Sequence, residues 1–276
     1  MTAAFLVSHG LTWGPLRATP YGLCAAVGLV AGMALARRSA LRLHCNAEVV
    51  WDTGMFALIS CFAASRLLLV MRDPRAFARY PLLVLGLPSL TFGGMLIAAL
   101  MLWAYVRVRR KLTVRSLLDV FAAPAAVLAA ALELGHWFEG SEVGMPTALP
   151  WAVRDPWNAT PMRVHPVALY GVVAALLIAL TLWRMSLRLR ADAGSLAAVG
   201  LVLGGGVAFG LNVLTQPLLV PLQLRLEPGQ WMALGAMLVG CLLWTFTPPR
   251  KRLDDVPLNR RSDVPSPTPL QYTEVR

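Results

Sequence analysis

The stretch Arg107-Val-Arg-Arg-Lys-Leu-Thr-Val-Arg-Ser-Leu-Leu-Asp-Val-Phe-Ala-Ala-Pro-Ala-Ala-Val-Leu-Ala-Ala-Ala-Leu-Glu-Leu134 decides the class of fold. It begins with five basic residues in nine positions. An apolar run over 117–134 follows, in which Asp119 and Glu133 are the ionisable residues. About 17–25 apolar residues cross a ~30 Å hydrocarbon core, and basic clusters at span ends favour the cytoplasmic side. Working outward, six further apolar stretches lie at 19–36, 50–71, 81–106, 165–183, 197–220 and 230–247. The chain therefore reads as an all-α polytopic membrane protein with seven transmembrane helices.

The distribution of charge fixes an expected orientation. The gaps after the first, third and fifth stretches and the segment after the seventh hold 17 of the 25 Lys and Arg residues. The N-terminus and the other gaps hold 7, and Arg66 lies within the second stretch. Lys and Arg concentrate in cytoplasmic loops, so the N-terminus is expected outside and the C-terminus in the cytoplasm. A composition of 57% hydrophobic residues with mean hydropathy +0.62 lies above that of soluble domains. The net charge of +11 occurs as short basic caps beside apolar spans, which suits anionic lipid headgroups and excludes a nucleic-acid partner. Cys24, Cys45, Cys61 and Cys241 suggest no disulfide framework. Met1–Thr12 lacks a basic leader, so no cleaved signal peptide is expected.

Residues 1–247 form the expected membrane domain. Within it, 135–164 is a long extracytoplasmic segment carrying Trp137, Trp151 and Trp157, which suits an ordered strip at the membrane interface. Residues 248–276 carry the run Asp263-Val-Pro-Ser-Pro-Thr-Pro and read as a flexible basic cytoplasmic tail.

Ionisable side chains inside a membrane usually face a cavity or a partner. Arg66 is accordingly either an anion-facing group or a structural partner of Asp119. Asp119, near a helix start, reads as a cap. The densest cluster is Glu133-Leu-Gly-His136-Trp-Phe-Glu139-Gly-Ser-Glu142, with an acid or imidazole every third residue. His136 flanked by Glu133 and Glu139 reads as an acid/base or headgroup-contacting group, with a solvated rim as the alternative. Three-residue steps drift by about 60° around a helix, and Gly135 and Gly140 point to a helix end. Convergence on a metal is therefore not expected, and neither a metal nor another cofactor is assigned. His165-Pro166-Val-Ala-Leu169-Tyr170 opens the fifth stretch, Tyr21-Gly22 the first, and Phe92-Gly93-Gly94-Met95 lies in the third.

Together these pieces resemble bacterial prolipoprotein diacylglyceryl transferase. They are Tyr21-Gly22-Leu23, Arg66-Leu67, Phe92-Gly93-Gly94 and Asp119 with Pro124, then Leu134-Gly135…Gly140…Gly144…Pro150-Trp151-Ala152, His165-Pro166…Leu169-Tyr170 and Gly229-Gln230…Met237. The resemblance implies a multi-pass protein of the bacterial inner (plasma) membrane. Its partners would be a membrane phospholipid, phosphatidylglycerol, and a prolipoprotein signal peptide. It would move a diacylglyceryl group to a lipobox cysteine thiol and release glycerol phosphate. Tyr21, Arg66, Gly93, Gly94, Gly135, Gly144, His165 and Tyr170 would contact lipid or substrate. Several positions differ from the family pattern: Phe92 stands for His, Glu133 for Arg, His136 and Glu139 for Asn, Trp137 for Phe, Ser141 for Glu, Gly171 for Glu, Ala208 for Arg, Asn212 for Glu and Thr215 for Arg. These substitutions open two other readings, a lipid-modifying enzyme with a changed substrate and a non-catalytic lipid- or lipoprotein-binding relative.

Overall fold

The Thr113 hydroxyl accepts a hydrogen bond from the Ser116 backbone at 3.1 Å and starts the helix around which the rest is arranged. The computed structural model describes residues 11–13, 16–79, 92–109, 113–155, 162–187, 194–215 and 226–246. Seven of its helices have 18 residues or more. They are α1 (Pro20–Arg42), α2 (Ala47–Arg72), α4 (Phe92–Arg109), α5 (Val114–Glu139), α6 (Val167–Ser186), α7 (Ser195–Leu214) and α8 (Pro228–Thr245), with a short α3 (Pro74–Arg79) after α2. Among the described residues, α1, α2, α5, α6 and α7 are long and apolar enough to cross a membrane. Residues 81–91 and 216–220 of the expected third and sixth spans, and the tail 248–276, lie outside the described residues.

Local chemistry accounts for the helix ends. Thr19 caps α1, with Pro20 in its first turn, and Asn46 caps α2 through its side-chain oxygen. α5 runs through Gly135 and stops at Gly140, whose φ of 62° is left-handed. Of the two glycines expected to mark the helix end, Gly135 lies inside the helix and Gly140 terminates it, as is usual for glycine at this position. The all-helical expectation needs one addition. Two small antiparallel ribbons occur, β1 (Leu11–Trp13) with β2 (Leu16–Ala18), and β3 (Val153–Arg154) with β4 (Arg163–Val164).

α5 is the central element and packs against α1, α6 and α7, while α2 joins α1 to α4 and α8 lies on α7. At one end of the bundle, Ala40, Val50, Val120 and Leu182 are fully or almost fully buried in a single cluster. The Arg42 guanidinium lies 3.5 Å above the Trp183 ring, tying the ends of α1 and α6 together there. This is the basic end. Around the bundle the usual burial pattern is inverted: Val30, Ile59, Leu100, Leu177 and Met232 are exposed, while Ser39, Ser60, Ser65, Arg66 and Asp119 are buried. Apolar side chains facing outward around a polar interior suit a hydrocarbon surround. The chain is an all-helical, multi-pass membrane protein.

The described residues after α5, 140–155 and 162–166, fold over the opposite end. Met145 N–H donates to Leu214 O at 2.8 Å, His165 N–H to Met145 O at 3.0 Å and Thr147 N–H to Arg163 O at 2.9 Å. The segment thus joins the end of α7 to the start of α6. Trp151 is exposed on it and Trp137 is half-buried, whereas Trp157 lies outside the described residues.

Candidate functional site

The last two turns of α5 carry the sequence's densest polar cluster, and its members turn different ways. His136 tilts against the Tyr21 ring at 4.8 Å between centroids, and its Nδ1 lies 2.8 Å from Ser141 Oγ. Glu139 Oε1 accepts from the Tyr21 backbone N–H at 3.3 Å, at the first turn of α1. A carboxylate there satisfies an unpaired helix donor and complements the dipole. Glu133 turns instead toward α6. Its carboxyl lies in the space over Gly171, where a Cβ would come 2.7 Å from Glu133 Cδ. The 60° drift per three residues separates these side chains, so His136 has Ser141 as its partner rather than either flanking carboxylate.

Close backbone approach holds these groups in place. A Cβ on Gly135 would lie 3.0 Å from Tyr21 Cα, so glycine lets α1 and α5 meet at this level. Gly94 does the same between α4 and α2, where a Cβ would lie 2.6 Å from Ser65 Cα, and Gly93 faces Leu68. Gly144 lies against the backbone of His165. The Tyr170 hydroxyl accepts from Trp151 Nε1 at 2.7 Å and is 3.5 Å from His165 Nδ1. The folded-over segment is therefore latched to the start of α6 by a polar triplet. Tyr21, Gly135, His136, Gly144, His165 and Tyr170 all lie at this end.

Arg66 belongs to a separate group. It is buried on α2, with its guanidinium 5.0 Å from the Phe62 ring and Nη1 without a hydrogen-bond partner among the described residues. Asp119 is not its partner. It lies toward the basic end, where Oδ2 accepts from Gly194 N–H and Oδ1 from Ala197 N–H, both at 2.9 Å. Asp119 is thus a cap, as expected, but of α7 rather than of its own helix. Arg154 and Arg163 are exposed and face each other across the β3–β4 ribbon.

Between α5, α6 and α7 runs a cleft of about 380 Å³. It reaches from Leu118, Leu182 and Ala197 at the basic end to Glu133, Gly171 and Leu211 at the other. Among its lining residues Glu133 is the one ionisable group. Glu133 is half-buried, and its Oε2 is buried with no hydrogen-bond partner among the described residues. A second, wholly uncharged cleft of about 660 Å³ lies between α1, α2, α4 and α5 and includes Gly32, Cys61, Leu102 and Pro124. Among the described residues no group of three or more His, Cys, Asp or Glu side chains could hold a metal ion. Both clefts are apolar and long enough to hold acyl chains, and the α5–α6–α7 cleft ends at Glu133, one helical turn from His136 on α5.

Sequence reasoning placed Ser141 and Trp151 in the outer segment and Gly171 next to Tyr170, but gave none of the three a contact. Ser141 directly follows the glycine terminator, so its proximity to His136 was readable in principle. Gly171 was visible only as a missing side chain, and its role as room for Glu133 needs the packing of α5 on α6.

Comparison with known proteins adds independent information. A family model described as prolipoprotein diacylglyceryl transferase matches residues 10–246. A phosphatidylglycerol–prolipoprotein diacylglyceryl transferase of Bordetella parapertussis is 29% identical over 244 residues, covering 85% of this chain and 92% of that one. The protein of the same name from Synechococcus elongatus is 30% identical over 194 residues, covering 64% and 65%. That of Cupriavidus pinatubonensis is 28% identical over 253 residues, covering 84% and 89%.

Proposed function

The chain belongs to the prolipoprotein diacylglyceryl transferase family, and from that premise we propose that it moves a diacylglyceryl group from phosphatidylglycerol to the lipobox cysteine of a prolipoprotein. The observation that carries this reading is the match across nearly the whole chain, combined with an acyl-sized cleft that ends at Glu133, one helical turn from His136 on α5. In this account all seven long helices span the bacterial inner membrane, with the N-terminus outside and the C-terminus inside. The 17-to-7 sorting of basic residues supports that orientation. The His136 end then faces outward, where a prolipoprotein signal peptide brings its cysteine.

The proposed chemistry is a displacement at carbon. His136 takes the thiol proton through the ring nitrogen that Ser141 does not engage, and Ser141 fixes the ring. The thiolate attacks the glyceryl carbon that carries the phosphate, a C–S bond forms and the C–O bond breaks. Glycerol phosphate leaves with the bonding pair, and the proton on His136 returns to it or to water. Glu139 acts by holding Tyr21, and Tyr21 by packing against the imidazole. Arg66, Arg154 and Arg163 are the cations available to attract the phosphodiester.

The direct test uses the purified full chain, phosphatidylglycerol with a labelled diacylglyceryl part, and a peptide bearing a lipobox cysteine. Label should move to the peptide, and a cysteine-to-serine peptide should accept none. No transfer by folded protein would reject the reading. A donor with a changed headgroup is the second reading, favoured by the lack of a cation among the described residues lining the α5–α6–α7 cleft.

A further inference from the structure

The α5–α6–α7 cleft has the proportions of a single lipid chain. Leu118 and Glu133 are fifteen residues apart on one helix, which at 1.5 Å per residue is about 22 Å. An extended acyl chain of common length spans a similar distance. The walls are otherwise Leu, Ile, Val, Phe, Ala and Gly, so an alkyl chain meets no polar side chain until it reaches Glu133. There the pattern changes abruptly. The Glu133 carboxyl has one oxygen buried without a partner among the described residues, on a side chain that lines this end of the cleft. Leaving such an oxygen unbonded costs free energy that a bound donor would recover. The terminal carboxyl torsion is soft, so either oxygen can turn toward the slot.

We propose that this cleft is a lipid site selective for headgroups carrying a hydrogen-bond donor, with Glu133 as the acceptor that reads it. The occupant's acyl chain lies along α5, α6 and α7, and its hydroxyl or ammonium group donates to the Glu133 carboxyl. The slot offers no cation to a bare phosphate, so a phosphodiester without a donor gains nothing there and meets an acid. Gly171 is a positioning residue for the same site. Any side chain at 171 would take the space of the Glu133 carboxyl, since a Cβ comes 2.8 Å from Oε2. Two headgroup chemistries fit: the hydroxyls of a glycerol headgroup and the ammonium of an ethanolamine headgroup. The inference deepens the transferase reading and rests on it only for the identity of the product.

The test is lipid binding by the full chain in phosphatidylcholine nanodiscs, whose headgroup has no donor. Phosphatidylglycerol, phosphatidylethanolamine and phosphatidylmethanol are titrated in turn. Phosphatidylmethanol keeps the phosphodiester charge of phosphatidylglycerol and lacks its hydroxyls. Wild-type protein should prefer at least one of the first two over phosphatidylmethanol by roughly tenfold, the scale of a hydrogen bond to an ionisable acceptor. Preference for phosphatidylglycerol assigns the hydroxyl, and preference for phosphatidylethanolamine assigns the ammonium. Glu133→Leu should abolish the preference, and Glu133→Gln, which keeps an acceptor oxygen, should retain part of it. Gly171→Ala, which displaces the carboxyl without removing it, covers the case in which Glu133→Leu fails to fold. Equal retention of phosphatidylmethanol by the wild type, or a preference undiminished in folded Glu133→Leu or Gly171→Ala, would overturn the site. Headgroup preference without transfer to a lipobox peptide would leave this site standing and remove the transferase function.

Discussion

Asp119 lies in the second turn of α5 yet serves another helix, since its two oxygens take the Gly194 and Ala197 backbone donors at the start of α7. The group is almost fully buried, so removing it leaves helix donors without acceptors in a site where water cannot replace them. Asp119→Ala should destabilise the fold by about 3 kcal/mol, and Asp119→Asn by roughly half as much, because one acceptor remains. Thermal melts in detergent read both. An Asp119→Ala protein as stable as wild type would sink the capping role. His136 makes the contrasting case. It is half-buried at the far end and held by Ser141 and Tyr21. His136→Ala should lower transfer by about 10²–10⁴-fold with abundance and melting unchanged, as expected for a general base. Ser141→Ala should lower it less, since the imidazole remains and loses only its orientation. Full transfer by His136→Ala protein would transfer the base role elsewhere.

At the scale of elements, α5 acts as the central mast. Its carboxylates reach the starts of two neighbours, Glu139 to α1 at one end and Asp119 to α7 at the other. Its surface then accepts α1 at close range, where Gly28 faces Ala131 and Gly135 faces Tyr21. A bulky substitution at 135 must push α1 away. Gly135→Val should therefore cost about 1–3 kcal/mol through overpacking. Gly204→Ala on α7 is the control, because a Cβ there meets nothing within 4 Å. It should stabilise by about 0.5–1 kcal/mol, the gain from replacing a helical glycine. Melting temperatures of the two variants should move in opposite directions, and a shared direction would contradict the packing of α1 on α5. Much of this level was legible beforehand. The apolar stretches mark most of the helices, and the Gly93-Gly94 pair marks a close crossing, because span length and small residues are local properties. Which of Gly135 and Gly140 ends α5 was not legible, since Gly135 reads as a terminator until Tyr21 is seen against it. The choice between Arg66 and two backbone donors as partners of Asp119 also depends on contacts distant in sequence.

At the scale of the whole molecule, the polar cluster, the latched residues 140–155 and 162–165 and the Glu133 end of the α5–α6–α7 cleft gather at one end, and the buried small-residue core occupies the other. Basic residues crowd the core end, as Arg37, Arg38, Arg42, Arg109 and Arg115 illustrate. Reporter fusions after Arg42, Lys111 and Arg190 should therefore report cytoplasm, and fusions near Arg75 and Thr147 the outside. An outside signal at Lys111 would invert the molecule and put His136 on the wrong face for a secreted substrate. The family resemblance was readable from scattered residues across the chain, because the sequence keeps the family's glycines, prolines and aromatics even where it changes charge. What became of the changed charges was not readable, since Glu133 and Gly171 lie 38 positions apart and meet only through the α5–α6 interface. The central claim is that the altered site still performs diacylglyceryl transfer. Complementation of a bacterial cell depleted of its own diacylglyceryl transferase tests it most directly. The account predicts growth with lipidated prolipoprotein visible on a gel when the full chain is expressed, and loss of both with His136→Ala at equal membrane abundance. Accumulation of unmodified prolipoprotein despite normal membrane insertion of the wild-type chain would contradict it.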